Sequence, residues 1–274
     1  MYRKIHVVYY NLNSLKKITL LLLLPAILLS NVYAQDKNAA LFFNTTDYTF
    51  NQDKTFLDFQ TNSIKDELML TYGYRASSYK NYSKINFINS ISNECAADTG
   101  NVTNQLFIYI AGMSVVDDAG NGYLILSDSD SLAYDQMISF EDIANLLSNC
   151  QVQHLFLFMD VPYSNIIKKH IKTDNTENLF PNDSIPRAEL ISSKFKLKAS
   201  YYFASSDNTV STIGRSRFSP MSSKLLEAFR NYGNGDDVIT MYELNEYMQT
   251  LEAIPEMSVF TVHESGGDFL FIVK

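Results

Sequence analysis

Basic residues are scarce in this chain, and so are cysteines, histidines and long apolar runs. Its 22 Lys and Arg face 30 Asp and Glu, a formal net charge of −8. That balance argues against nucleic acid or an anionic lipid surface as a partner. The apolar run Ile18–Leu29 has only 12 residues, and a membrane span needs roughly 20. No period of 20–50 residues repeats, which excludes a solenoid or a propeller. Two cysteines are present, Cys95 and Cys150, and neither lies where a lipid anchor could be attached near the N-terminus.

The N-terminus itself reads as an export signal. Arg3, Lys4, Lys16 and Lys17 form a positive flank, Ile18–Leu29 the apolar segment, and Val32-Tyr33-Ala34 a small-residue cleavage site. Residues 1–34 are therefore expected to be removed and the product to be periplasmic or secreted, with no stable membrane span. Removing those four basic residues leaves 18 basic against 30 acidic side chains, a balance of −12 over residues 35–274. In an exported chain Cys95 and Cys150 are a disulfide candidate, with separate buried thiols or a catalytic cysteine as the alternatives. A hydrophobic content of 46% supports one sizeable core.

Strands and helices alternate along residues 35–274. Ala39–Phe43 is a short apolar strand followed by a polar loop. Leu57–Tyr72 reads as an amphipathic helix stopped by Gly73. Tyr74–Tyr79 is a second strand and Ser83–Cys95 a second helix. Gln105–Ala111 is a buried strand, and Val115–Leu126 is a hairpin pattern around an Asp-, Gly- and Asn-rich turn. Asp117, Asp118 and Asn121 are explained by turn chemistry without a metal; no metal or other cofactor is expected.

Ser139–Asn149 is a helix with Phe140, Ile143, Leu146 and Leu147 on one face. Leu155–Met159 is five large apolar residues in a row, the signature of a central parallel strand, and it ends at Asp160. A short basic helix is expected over Asn165–Lys172, then an exposed linker over residues 173–186. Ala199–Ala204 is a strand that ends in Ser205-Ser206-Asp207. Ser219-Pro220 opens a helix carrying Leu225, Leu226 and Phe229, and Thr240-Met241-Tyr242-Glu243 is a capping box opening another. Val259–Val262 and Phe269–Val273 are expected to close the chain as a strand pair around Ser265-Gly266-Gly267, decorating a sheet edge. The fold class is α/β: a mostly parallel sheet with helices on both faces and a β-hairpin after the third strand.

In open α/β sheets chemistry sits beyond the carboxyl ends of the strands. Two such ends stand out, Gly112-Met113-Ser114 and Asp160-Val161-Pro162-Tyr163-Ser164, with Met113 and Pro162 49 residues apart. This layout resembles the caspase-like cysteine peptidases, in the metacaspase-type branch. There a histidine in a Gly-His-Gly turn ends one strand, and a cysteine in an Asp-x-Cys-Tyr-Ser-Gly turn ends the next about 50 residues later. Phe107–Gly112, Gly122–Asp130, Leu155–Asp160, Tyr163-Ser164, Tyr201–Ser206, Phe218–Phe229 and Ile239–Met248 resemble the family framework in the correct order.

The departures fall on the chemistry. Met113 stands at the histidine position and Pro162 at the cysteine position, while Ser114 and Asn165 replace flanking glycines. A thioether shuttles no proton and proline offers no nucleophile. The resemblance therefore implies a pseudoprotease with no catalytic residues, its partner a peptide segment or an active caspase-like relative. Asp160, Ser164, Ser205 and Ser206 are the candidate peptide-binding residues. Asp160 matches a position that grips a basic side chain in the family; capping its own turn is the alternative. A weak hydrolase built on other residues is the competing reading. It needs a histidine near Ser114 or Ser164, and His154 starts the same strand that Asp160 ends, about 20 Å away.

Overall fold

A computed structural model describes residues 38–48, 56–96, 104–129, 133–171, 187–205, 217–231 and 235–274. The export signal and the 173–186 linker lie outside the described residues. The elements are β1 (Asn38–Asn44), α1 (Phe56–Leu70), β2 (Arg75–Lys80), α2 (Lys84–Cys95) and β3 (Gln105–Ala111). Then come β4 (Ser114–Val116), β5 (Gly122–Leu124), β6 (Ile138–Ser139), α3 (Phe140–Ser148) and β7 (His154–Asp160). A 3-10 helix (Ser164–His170) precedes α4 (Arg187–Lys194), β8 (Ala199–Ala204) and α5 (Pro220–Asn231). The chain closes through β9 (Val238–Ile239), α6 (Met241–Met248), β10 (Glu256–Val259) and β11 (Phe271–Ile272).

Six strands form the main sheet in the order β10-β8-β7-β3-β1-β2. All neighbours are parallel except β10, which runs antiparallel to β8. The pleat divides the core. Along β3 and β7, Leu106, Ile108, Ile110, Leu155, Leu157 and Met159 point to the face covered by α2 and α3. Phe107, Tyr109, Phe156 and Phe158 point to the other, under α1, α5 and α6. Every residue of both strands is buried, as continuous apolar runs require between two helical layers. Phe156 lies within 5.3–6.2 Å, centroid to centroid, of Phe107, Phe158, Phe203, Phe269 and Phe271.

Helix starts follow local chemistry. Ser83 and Ser139 accept from the amides of Asn86 and Asp142, and Thr240 and Glu243 complete a reciprocal capping box. Ser114–Val116 and Gly122–Leu124 pair antiparallel as the hairpin after β3, extended by β6. Asp117 is held in that turn by Asn121, whose amide and side chain both donate to its carboxylate (2.7 and 2.9 Å). These bonds hold its pKa below the usual carboxylate value.

Two expected elements are placed differently. The closing strands do not pair with each other: β10 joins the main sheet beside β8, and β11 pairs with β9 in a separate two-stranded sheet. The loop between them is pinned elsewhere. Glu264 donates its amide to Lys198 O (2.9 Å), Tyr201 Oη donates to Gly267 O (2.9 Å), and a Cβ on Gly267 would stand 2.6 Å from Lys198 O. The short basic helix expected over Asn165–Lys172 is present as a 3-10 helix, Ser164–His170, with Lys168, Lys169 and His170 in its last turn.

Cys95 ends α2 and Cys150 follows α3, and they are joined by a disulfide. It crosses the rim where the strands begin, and Gln151 N donates to Cys95 O beside it (3.0 Å). The bridge spans 55 residues, so chain entropy alone assigns it about 4 kcal/mol. Replacing both cysteines by serine is expected to lower the unfolding free energy by about 2–4 kcal/mol in urea titrations. The parallel Phe156→Ala change is expected to cost about 3–5 kcal/mol.

Candidate functional site

The register of β3 against β7 sets Ala111 opposite Asp160. The two segments that follow therefore leave the sheet side by side. Ser114 Oγ donates to the carbonyl of Pro162, a direct tie between the tips. Met113 is held from both sides: its amide donates to Tyr48 Oη (2.9 Å) and its carbonyl accepts from Ile125 N (3.0 Å). Its side chain packs with Tyr48, Ile125 and Met137. After Pro162 the chain turns at Tyr163, which sits in the left-handed region (φ 56°).

Ser164 is fully buried. Its hydroxyl donates to Met159 O (3.0 Å) and accepts from Ser205 N (2.7 Å). Asn165 N donates back to Ser205 O (3.1 Å). Ser205 thus sits beside Ser164 at the end of β8; Ser206 lies outside the described residues.

Two roles for Asp160 are open from the sequence, a grip on a basic side chain and a cap on its own turn. The structure gives its carboxylate a different set of partners. Asp160 shares the pleat of Phe156 and Phe158, so its side chain turns toward α1 and α5 and is 2% exposed. One oxygen accepts from Gln60 Nε2 (3.0 Å), Ser219 Oγ and Ser222 Oγ. The partners bond one another. Gln60 Nε2 donates to Tyr109 Oη (2.7 Å), which lies 2.7 Å from Ser222 Oγ. Ser219 N donates to Gln60 Oε1 (2.9 Å), and Ser222 N donates to Ser219 Oγ (3.0 Å). Burial raises the Asp160 pKa, against the pull of these neutral donors.

No protein-family model and no curated protein matches this chain. Among solved structures, caspase-1 from Spodoptera frugiperda is similar at a TM-score of 0.57 and 12% identity, over 85% of this chain and 92% of that one. The fold is caspase-like. At that identity the likeness is one of fold alone.

Within this caspase-like fold His154 and His263 lie near the starts of β7 and β8, the ends opposite the tips. His154 opens β7 and is stacked on Phe195 (4.8 Å). His263 packs on Tyr201 (4.8 Å) and accepts from Ser200 N (3.3 Å), near the start of β8. His170 ends the 3-10 helix. None of these three hydrogen-bonds Ser114 or Ser164. No cluster of His, Cys, Asp or Glu with metal-binding geometry occurs among the described residues.

Gln60 was the partner that sequence reading missed, although a signal existed. It occupies a buried position on the Leu57–Ile64–Leu68 side of α1, where an uncharged polar residue needs an internal partner. Ser219 carried a helix-start signal, which explained it locally and hid its second role, and Ser222 carried no signal of its own.

Two measurements follow from the buried ionisable groups. Asp160→Ala leaves three donors unpaired and is expected to cost roughly 2–4 kcal/mol. Asp160→Asn keeps an acceptor and should cost less. The raised folded pKa means that the Asp160 contribution is present at low pH and is lost as pH rises through the folded value, so Asp160→Asn should remove that loss.

At the rim where the strands begin, burial pushes His154 and His263 down to about 4 and Asp268 up to about 7. For the imidazoles, an unfolded value of about 6.5 places the loss of stability between pH 6.5 and 4 as pH falls. For Asp268 the loss runs the other way, from about pH 4 to 7 as pH rises. Urea midpoints across pH 4–8 should show the acid limb reduced in His154→Phe and the opposite limb removed in Asp268→Asn.

Proposed function

We propose that this chain is an exported caspase-like pseudoprotease that binds polypeptide without cutting it. The observation that carries the reading is the occupancy of the two strand tips: Met113 and Pro162 stand where the resemblance calls for an imidazole and a thiol. Neither side chain transfers a proton or attacks a carbonyl. The loss of such a pair in hydrolases costs up to about 10⁶ in rate. The Ser114 hydroxyl is spent on Pro162 O and the Ser164 hydroxyl on Met159 O, which gives no support to a serine-based hydrolase.

Export is supported by the Arg3–Ala34 pattern and by the Cys95–Cys150 bridge, a bond suited to an oxidising compartment. In this reading the tips present Met113, Pro162 and Ser205 to an incoming segment. Reaching Asp160 requires a basic side chain to displace Gln60 or a serine from its carboxylate.

Purified protein incubated with fluorogenic peptides bearing Arg, Lys or Asp before the reporter is expected to show no turnover above buffer. Turnover that survives cysteine blockers and disappears in Ser164→Ala would overturn the reading. The double change Met113→His with Pro162→Cys tests whether the tips still form a groove: thiol-dependent cleavage is the expected outcome.

A further inference from the structure

Among the described residues the main sheet ends at β2, with no strand on its outer side. β2 pairs with β1 through the register Ala39 with Arg75 to Asn44 with Lys80. Ala76 packs into the core under α1, so Arg75, Ser77 and Tyr79 share the opposite face, that of α2. Tyr79 stacks on Phe43 there (5.0 Å, 15°).

Helix α2 buries Phe87, Ile91 and Cys95. This leaves Asn86, Asn89, Ser90 and Asn93 on its outer side, spaced i, i+3, i+4 and i+7 as one stripe. The stripe and the outer face of β2 enclose a groove of about 460 Å³, and Glu94 completes the lining. None of the four stripe side chains spends its donors or acceptors on another described residue. At one end Arg75 Nη2 donates to both carboxylate oxygens of Glu94 (3.0 and 2.8 Å), so the described lining has no net charge in a chain of −8.

The chemistry selects the occupant. Free amides and hydroxyls along a neutral wall call for an uncharged ligand that both donates and accepts. The strand edge adds a second requirement, since every other residue of β2 points its N–H and C=O away from β1. A polyol satisfies the amides and leaves that ladder unmet. An extended polypeptide satisfies both, because a strand added about 4.8 Å outside β2 lays alternate side chains against the α2 stripe.

We propose that the β2–α2 groove takes an extended polypeptide segment of about six residues as a seventh strand, with Asn, Gln, Ser or Thr at the alternate positions facing Asn86, Asn89, Ser90 and Asn93. The site is separate from the Met113 and Pro162 tips and does not depend on whether the chain cleaves peptides.

The test screens the full chain against an array of capped decapeptides randomised over Ser, Thr, Asn, Gln, Gly and Val. The best binder is then synthesised plain and with alternate backbone amides N-methylated, and maltohexaose serves as the glycan probe. The plain peptide should slow amide exchange across Arg75–Lys80, and N-methylation should weaken it at least tenfold. The double variant Asn89→Ala, Asn93→Ala should weaken it at least fivefold with an unchanged melting temperature, because both side chains are exposed. Four results would each overturn the proposal: no decapeptide binding at millimolar concentration, affinity indifferent to N-methylation or to the double variant, protection at Gly112–Ser114 instead of β2, or protection of β2 by maltohexaose but by no peptide.

Discussion

A buried carboxylate with no cationic partner among its hydrogen bonds is the constraint around which this molecule is arranged. Asp160 belongs to the same pleat as Phe156 and Phe158, and that parity sends its side chain into the layer beneath α1 and α5. Once there it must be met by donors, and the donors come from two other elements: Gln60 from α1, and Ser219 with Ser222 from the start of α5, while Tyr109 of β3 links Gln60 to Ser222. Each group has a consistent role. Gln60 uses both hydrogens of its amide, and the two serines donate to the carboxylate while accepting from a neighbour. A network in which each donor meets an acceptor favours one geometry, so it ties the tip of β7 to the first turns of both helices.

That tie bears on the neighbouring tip. The β3–β7 register alone brings the Met113 and Pro162 segments together, and the bond from Ser114 to Pro162 O closes the distance between them. The caspase-like frame thus persists around the Met113 and Pro162 segments. Hydrogen bonds between backbone and small polar side chains do the holding, and none of them involves a histidine or a cysteine. The atoms that hold a fold together need not be those that perform chemistry, so likeness of fold does not carry activity with it.

The sequence made the frame legible wherever the information was local. Five consecutive large apolar residues from Leu155 located the central strand, Ser83, Ser139 and the Thr240–Glu243 pair located helix starts, and the Asp117–Gly122 turn located the hairpin. It was illegible where partners lie far apart in the chain. β11 reads as a strand in isolation, yet its partner β9 is a two-residue segment with no signal of its own. Gln60 and Asp160 are 100 residues apart, and no spacing rule connects them. Helix α4 follows a polar stretch and has a weak apolar pattern, with Leu190 its main anchor beside Val238 and Leu270. In each case a long-range contact supplied what local propensity lacked.

The same accounting of donors and acceptors separates two surfaces of the molecule. At the tips the hydroxyls of Ser114 and Ser164 are already engaged with the chain's own carbonyls, and the Asp160 carboxylate is enclosed. A ligand arriving there must exchange existing bonds for new ones, a near-neutral trade unless it also buries apolar area such as Met113. Along the Asn86–Asn93 stripe the side chains have no partners among the described residues, so a bond that a ligand forms with them replaces one to water. The edge of β2 is also kept from indiscriminate pairing: Arg75 and Lys80 stand at its two ends, each held by an acidic neighbour, Glu94 and Asp58. Charged ends around an uncharged middle admit a short polar strand and discourage a long apolar one, which is how an exposed edge can serve recognition without serving aggregation.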